Sequence, residues 1–401
     1  MIEIKDKKKC CGCTACYSIC PKNCIQMSAD EEGFLYPVVD VDRCIECNQC
    51  VKVCPELNPK EEISFPQKGF VVQNKDSKIL RESTSGGAFT AIAQWILLHQ
   101  GVVFGVVFDS VFKVVHACID SIEELYRFRN SKYVQSAVGD SFHKVKEYLQ
   151  KGQLVLFSGT PCQIEGLRHF LKKDYPNLYL LDIVCRAVPS PMLWSKYLVW
   201  VHSKAKDEPF EQIRFRDKIY GYNYSNMTFY GEKEHRLLYK GGLDSDVFLR
   251  AFFSNLADRP SCYVCPFKKR YRVGDFTLWD CFDPEVFTKE MNNNKGVTRV
   301  LLHTQKAVQL FEEIKNDFLY QEVDADLLVK NVKEMFCSVN EPKNRSKFFK
   351  DLHQMNFELF TQKYFKVGPN EKLERVMRLL GAKLNIYPIL RKCAHLLHLT
   401  K

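Results

Sequence analysis

Tryptophan is scarce, four in 401 residues, and no run of the chain is apolar for long enough to cross a bilayer. The nearest approach, Ala88 to Phe108, is interrupted at Gln94, His99, Gln100 and Gly101. It reads as a buried helix (Phe89 to Leu98), a turn at Gly101 and a strand (Val102 to Phe108). Met1 leads into Lys5-Asp6-Lys7-Lys8-Lys9 and then into cysteines, without an apolar segment of signal type, so a cytoplasmic chain is expected. With 46% hydrophobic and 26% charged residues, disorder and collagen-like structure are excluded. Net charge is also in short supply where it would matter for nucleic acid. Of the total of +10, residues 345–401 carry +8, and the rest of the chain is nearly neutral. No aromatic-glycine signature of an RNA-binding module occurs, and no nucleic-acid partner is expected.

What the sequence has in excess is cysteine. There are 18, and ten of them fall in the first 54 residues. Closely spaced thiols in a reduced compartment are used as metal ligands rather than as disulfides. Cys10, Cys13, Cys16 and Cys20-Pro21 follow the spacing Cys-x-x-Cys-x-x-Cys-x-x-x-Cys-Pro, and Cys44, Cys47, Cys50 and Cys54-Pro55 repeat it 34 residues later. Two such runs are the pattern of a bacterial ferredoxin with two four-iron clusters, in which the fourth cysteine of each run serves the other cluster. The expected ligand sets are therefore Cys10, Cys13, Cys16 and Cys54 for one cluster, and Cys44, Cys47, Cys50 and Cys20 for the other. A pair of zinc knuckles is the alternative, but it would leave four thiolates unused. Cys11 and Cys24 stand outside the spacing and read as unligated thiols, although a one-residue slip would let Cys11 replace Cys10.

The expected fold class is mixed α/β. A ferredoxin domain (1–60) ends in the breaker-rich stretch Glu56-Leu57-Asn58-Pro59, read as a linker. A mixed-sheet body follows, in two parts (61–150 and 151–340), and a basic helical tail closes the chain (341–401). Strands at Gly69–Val72, Val102–Phe108, Leu154–Phe157 and Leu178–Val184 alternate with helices, the pattern of βαβ crossovers.

Six segments of the body stand out: Ser83-Thr84-Ser85-Gly86-Gly87, Ser131-Lys132-Tyr133-Val134-Gln135-Ser136, Gly159-Thr160-Pro161-Cys162-Gln163, Cys185-Arg186-Ala187-Val188-Pro189-Ser190-Pro191, Cys262-Tyr263-Val264-Cys265 and Arg272-Val273-Gly274-Asp275-Phe276-Thr277. In this order, behind a two-cluster ferredoxin, they resemble the coenzyme F-420 hydrogenase/dehydrogenase beta-subunit family, from residue 1 to about 340. The resemblance implies an iron–sulfur flavoprotein that binds FAD and moves electrons between clusters and an organic acceptor. That family includes deazaflavin-reducing subunits and 7-hydroxymethyl chlorophyll reductase, and other members accompany polysaccharide biosynthesis. Two departures lie near the expected acceptor pocket: Cys185-Arg186-Ala187-Val188-Pro189 where the family has Cys-His-Gly-Val-Pro, and Trp279-Asp280-Cys281-Phe282 where it has Gly-Asp-Phe-Trp. They place the deazaflavin acceptor in doubt and leave the electron path intact.

On the residues themselves, Ser83, Ser85, Gly86 and Gly87 precede a helix whose N-terminus can cradle a phosphate, or else they only cap it and turn the chain. Lys132 and Tyr133 offer a charge for a pyrophosphate and a ring to lie against a flavin. Cys162 and Cys185 follow strands and so belong at the carboxyl edge of the sheet, where ligands bind. With Cys262 and Cys265 they make four thiols, the number a third four-iron cluster needs. A redox disulfide, a zinc site and ordinary buried thiols compete with that reading. Since clusters pass single electrons and FAD can deliver pairs, the expected activity is that of an FAD- and 4Fe-4S-dependent oxidoreductase fed by ferredoxin or another redox protein. The alternative is an electron-transfer subunit of a larger hydrogenase/dehydrogenase-type complex. In the tail, Leu373, Val376, Met377 and Leu380 recur at helical spacing between Lys372, Arg375 and Arg378, and Ile389 to Leu399 has a similar texture. Such a helix suits peripheral contact with an anionic membrane, or packing on the protein's own body.

Overall fold

The computed structural model describes residues 1–384. The predicted amphipathic stretch Ile389 to Leu399, and Cys393 within it, lie outside the described residues. Thirteen strands occur among the described residues. They are β1 (Ile25–Ala29), β2 (Leu35–Val39), β3 (Lys68–Asn74), β4 (Val102–Phe108), β5 (Val114–Ile119), β6 (Val155–Gly159), β7 (Leu178–Ile183), β8 (Phe210–Asp217), β9 (Asn226–Gly231), β10 (Leu237–Gly241), β11 (Phe276–Asp280), β12 (Thr298–Leu302) and β13 (Phe318–Val323). The first two form a hairpin. The strands β8, β9 and β10 form a three-stranded antiparallel sheet, and the other eight form one mixed sheet in the order β13-β3-β12-β11-β7-β6-β4-β5.

The centre of the large sheet is parallel: β4 pairs with β6, β6 with β7, and β7 with β11 in that sense. Its sequences are continuous apolar runs such as Val102-Val103-Phe104-Gly105-Val106-Val107-Phe108, as expected where both faces are covered. The connection from β6 to β7 is the helix Pro161–Leu171, started by a capping box between Thr160 and Gln163 with Pro161 in the first turn. The helix Ala88–Leu98 buries Ala91, Ile92, Ala93, Ile96 and Leu97 against one face, beside the helix Gln305–Ile314. A second core lies around Trp194 and Tyr197 of the helix Pro191–Lys204 and takes in strands β8 and β9.

Two of the predicted boundaries differ from the structure. The ferredoxin segment has a small core of its own around Ile2, Cys16, Cys24, Ile25 and Cys50, but it is also packed on the body rather than set apart behind a linker. Cys11, Cys13, Ala15 and Val53 share one apolar cluster with Phe157, Ile164, Leu167 and Phe267 of the body. Glu32, in the turn between β1 and β2, pairs with the buried Arg345 (Nη1 to Oε1, 2.8 Å), and the Ser190 hydroxyl donates to the Glu32 carbonyl. The expected tail does not begin at residue 341 either. Helices Arg345–Gln354 and Phe357–Phe365 bury Phe348, Phe349, Leu352, Phe360 and Phe365 in the second core. Only the helix Pro369–Lys383 keeps the predicted tail character, with Leu373, Val376, Met377 and Leu380 all exposed.

Candidate iron–sulfur relay

The duplicated spacing recurs as duplicated backbone. Gly12 and Thr14 hold positive φ (72° and 68°), as do Glu46 and Asn48 (50° and 57°) at the matching places of the second run. In each run a short helix follows at once, Ala15–Ile19 and Gln49–Lys52, which turns the third cysteine back toward the first two. A side chain at Gly12 would be strained: its Cβ would lie 2.9 Å from Arg259 Nη1, in addition to the left-handed backbone.

Two cavities result. One is lined by Cys10, Cys13, Cys16 and Cys54, the other by Cys44, Cys47, Cys50 and Cys20. These are the crossed quartets expected of a two-cluster ferredoxin, with each fourth cysteine contributed by the other run. Among the described residues no three Cys, His, Asp or Glu side chains close around the position of a single metal ion. Backbone N–H groups aim at the sulfurs: Gly12 at Cys10, Ala15 at Cys13, Tyr17 at Cys16, and Leu57 and Glu56 at Cys54. Such donors favour thiolate over thiol, and the donor set fits a four-iron cluster in each cavity.

The quartets differ in surroundings. Cys10 and Cys13 are buried against the body and Cys16 within the segment, whereas Cys47 is exposed, as are Val41 and Ile45 of the same loop. Burial pushes the thiols of Cys10 and Cys16 up, opposed at Cys10 by the guanidinium of Arg259. Two extra thiols accompany the ligand candidates. Cys24 lies 3.3 Å from Cys20 in the outer cavity. Cys11 is buried and hydrogen-bonded on one side to Cys13 and on the other to Cys162. Helix Pro161–Leu171 presses close at this point, since a Cβ on Gly166 would sit 2.7 Å from the Cys13 Cβ and 2.8 Å from its sulfur.

Cys162 follows β6 and Cys185 follows β7, both at the carboxyl edge of the parallel strands, as expected. Cys262 and Cys265 reach the same place from the short helix Pro260–Val264. The four affect one another electrostatically. Burial first, and then Cys162 and Cys265, raise the Cys185 thiol to about 12, while Cys265 is raised to about 12 by burial and by Cys162. Cys262 is raised by burial and by Cys185. Of the remaining described cysteines, Cys281 is buried, Cys118 half-buried and Cys337 exposed.

The residues expected to hold a flavin phosphate are brought together, with their polar groups turned inward. Ser131 N–H donates to Thr84 Oγ1 (2.7 Å), joining the two segments. Ser85 Oγ and Gly86 N–H both meet Thr298 Oγ1 at 2.7 Å. Gly86 is needed for close approach, because a Cβ there would be 2.2 Å from the Val72 carbonyl. Ser83 ends the helix Ser77–Glu82, and Gly87 starts the helix Ala88–Leu98 with φ of 84°. The Lys132 ammonium donates to the carbonyls of Arg127, Arg129 and Asn130, and burial pulls it down to about 7. Tyr133 stacks on Phe252 at 5.0 Å and accepts from Arg216.

Beside them is a cationic group that the sequence did not reveal. Arg216 is buried between Tyr222 and Phe282 and paired with Asp280 (3.1 Å). Lys218 donates to the carbonyls of Leu80, Ser85 and Lys295. In Arg214-Phe215-Arg216-Asp217 nothing marks one arginine over the other. At the departure Arg186, the guanidinium donates to Asn255 Oδ1 (2.9 Å) and lies over the ring of Phe253.

Paired thiol quartets at one end, and a parallel sheet edge bearing four more cysteines, define an iron–sulfur electron-transfer protein. Comparison with known proteins gives two regional matches. Residues 152–326 match the model for the C terminus of the coenzyme F420 hydrogenase/dehydrogenase beta subunit, and residues 9–57 match that of the 4Fe-4S dicluster domain. The body of the chain is therefore similar to the coenzyme F420 hydrogenase/dehydrogenase beta subunit over that region, and a dicluster domain for two iron–sulfur clusters lies ahead of it. Among solved structures, it is similar to a chain of the F420-reducing [NiFe] hydrogenase complex from Methanosarcina barkeri. Identity is 16% over 72% of this chain and 92% of that one, with a TM-score of 0.45. No curated protein matches it in sequence. Among the described residues no helix is long and apolar enough to cross a membrane.

Proposed function

We propose that the protein is an iron–sulfur flavoprotein oxidoreductase in which electrons pass from the outer quartet to the inner one, then to the sheet-edge thiols, and then to an FAD beside them. The supporting observation is the continuity of the thiols. Cys16 of the inner quartet interacts with Cys50 of the outer one, and Cys11 bridges Cys13 to Cys162. Cys10, Cys13, Cys16 and Cys54 ligate one four-iron cluster, Cys44, Cys47, Cys50 and Cys20 the second, and Cys162, Cys185, Cys262 and Cys265 a third. For the FAD, the supports are the family and the cations of Arg216 and Lys218 next to Ser83, Ser85, Gly86, Gly87, Lys132 and Tyr133. Seating its phosphates there requires those cations to exchange protein carbonyl and carboxylate partners for phosphate oxygens. When bound, FAD collects single electrons and delivers them in pairs to an organic acceptor. The placement of that acceptor in polysaccharide biosynthesis follows from the resemblance alone.

Anaerobic purification with iron, sulfide and flavin counted together tests this reading. About twelve irons per chain and one FAD are expected, falling to about eight irons in the Cys262→Ser, Cys265→Ser double variant. An unchanged iron count in that variant removes the third cluster, and a chain without flavin removes the flavoenzyme.

The exposed apolar residues around Cys47 favour a second reading, in which the chain serves as the electron-transfer subunit of a larger complex and a partner protein covers that loop. Turnover of an organic acceptor by the isolated chain with an artificial donor supports the enzyme. Electron delivery only to a protein partner supports the subunit.

A further inference from the structure

Among the described residues Arg259 is the largest charged side chain buried completely, and it belongs to the body while its guanidinium lies inside the ferredoxin segment. Its donors are all directed. Nε donates to the Cys10 carbonyl at 2.8 Å and Nη1 to Gln135 Oε1 at 2.7 Å. Nη2 donates to the Leu35 carbonyl at 2.9 Å and to the Cys10 sulfur at 3.6 Å. The ring of Tyr36 lies 4.3 Å and that of Phe34 5.4 Å from the guanidinium carbon, so the fork is held from both the edge and the face. Gln135 is held in turn, donating its amide to the Cys11 carbonyl. Among the described residues no guanidinium donates to a sulfur of the other quartet. Arg43, beside Cys44, is exposed and gives its Nη2 to the Lys22 carbonyl.

We propose that Arg259 is a positioning residue that raises the reduction potential of the inner cluster through its hydrogen bond to the Cys10 sulfur. The inference rests on the reading of Cys10, Cys13, Cys16 and Cys54 as ligands. Adding an electron to a cluster adds negative charge to its sulfurs. A directed N–H and a full positive charge stabilise that state more than the oxidised one, and hydrogen bonds to sulfur are one of the levers that set cluster potentials. The guanidinium is fully buried, which strengthens the effect over that of an exposed cation. The outer cluster lacks this donor, so the two halves of a duplicated sequence become two different redox centres. The inner one is the better electron sink than its sequence repeat would make it.

The test uses the full-length holoprotein under anaerobic conditions. Iron and sulfide are counted first, and an unmodified protein without them overturns the ligand reading, separately from any role of Arg259. Redox titration followed by electron paramagnetic resonance then compares the unmodified protein with Arg259→Met, Arg259→Lys and Gln135→Leu. Arg259→Met is expected to lower the midpoint of one cluster and leave the other in place. Arg259→Lys, which keeps the charge and loses the fork, shifts the same cluster by less. Gln135→Leu, which breaks an anchor and keeps the sulfur contact, leaves both midpoints within error. A role confined to docking predicts a loss of thermal stability with no selective change of midpoint, and that result overturns the proposal. Should Arg259→Met fail to fold, 15N-arginine labelling carries the test. A 15N coupling at one reduced cluster, lost in Arg259→Lys, supports the proposal, and a coupling that persists in Arg259→Lys refutes it.

Discussion

Removing the Glu32 carboxylate should loosen the whole ferredoxin segment. Glu32 sits in the turn between β1 and β2, 8% exposed, and its partner Arg345 is 7% exposed at the start of the helix Arg345–Gln354. Both carboxylate oxygens face the guanidinium, which also donates to the Asp258 carbonyl (2.8 Å) and the Tyr263 hydroxyl (3.1 Å). Deleting one partner of a buried pair leaves an uncompensated charge and costs about 3–5 kcal/mol. The remaining acceptors soften the loss, so Glu32→Ala is expected near the lower end of that range. With a denaturant slope of about 3 kcal/mol/M, the urea midpoint falls by about 1 M. Glu32→Gln keeps one acceptor and should fall between the parent and Glu32→Ala. The control is Lys7→Ala, which breaks the partly exposed pairs of Lys7 with Asp30 and Glu31 (2.7 Å each). Exposed pairs of this kind are worth about 0–1 kcal/mol. Urea unfolding of the anaerobic holoprotein, followed by tryptophan fluorescence and by iron release, measures both. If Glu32→Ala unfolds no earlier than Lys7→Ala, the claim that this pair joins the segment to the body is wrong.

Gly166→Leu should expel the inner cluster, because the new side chain meets Cys13 where a Cβ alone would lie 2.7 Å away; about four irons are lost while about four remain, and full iron content would contradict the packing. Lys132 is held down to about 7 by burial, so between that pH and its ordinary value the unfolded chain carries a proton that the folded chain lacks. Its contribution to stability therefore rises with pH from about 7 to about 10; Lys132→Met should flatten this rise in denaturation curves while lowering stability at every pH by stranding three carbonyls. The exposed stripe Leu373, Val376, Met377 and Leu380, next to Lys372 and Arg375, should carry the full chain onto anionic liposomes at low salt, whereas a chain ending at Val367 stays in solution. Equal partitioning of the two chains refutes membrane contact.

The sequence carried the ferredoxin pattern in full, because local spacing fixes it. Three cysteines within seven residues can face one void only if the loop between them turns sharply, and the repeat writes that turn twice. The strands β4, β6 and β7 were legible for a similar reason: long apolar runs have no other place than between two covered faces. Arg259, Arg216 and Glu32 were not legible. Each owes its role to a partner more than fifty residues away in sequence, and a single charged residue carries no periodicity. The expected linker illustrates the same limit. Glu56 and Pro59 break helices and strands, which the sequence shows, but whether a break is a hinge or a seam depends on what packs over it. Here Glu56 is largely enclosed beside Cys11, where burial raises its carboxyl to about 7.

The unequal shelter of the two quartets sets an order of wear. Molecular oxygen and chelators arrive from solvent, and the loop from Val41 to Asn48 is exposed to it apart from Cys44, while Cys10, Cys13 and Cys16 are buried, the first two under the body. On the proposed path, damage in air would begin at the outer site and cut the inner one off from its donor. Decay of activity then runs ahead of decay of iron. A chain inspected after partial exposure holds much of its metal and passes little current.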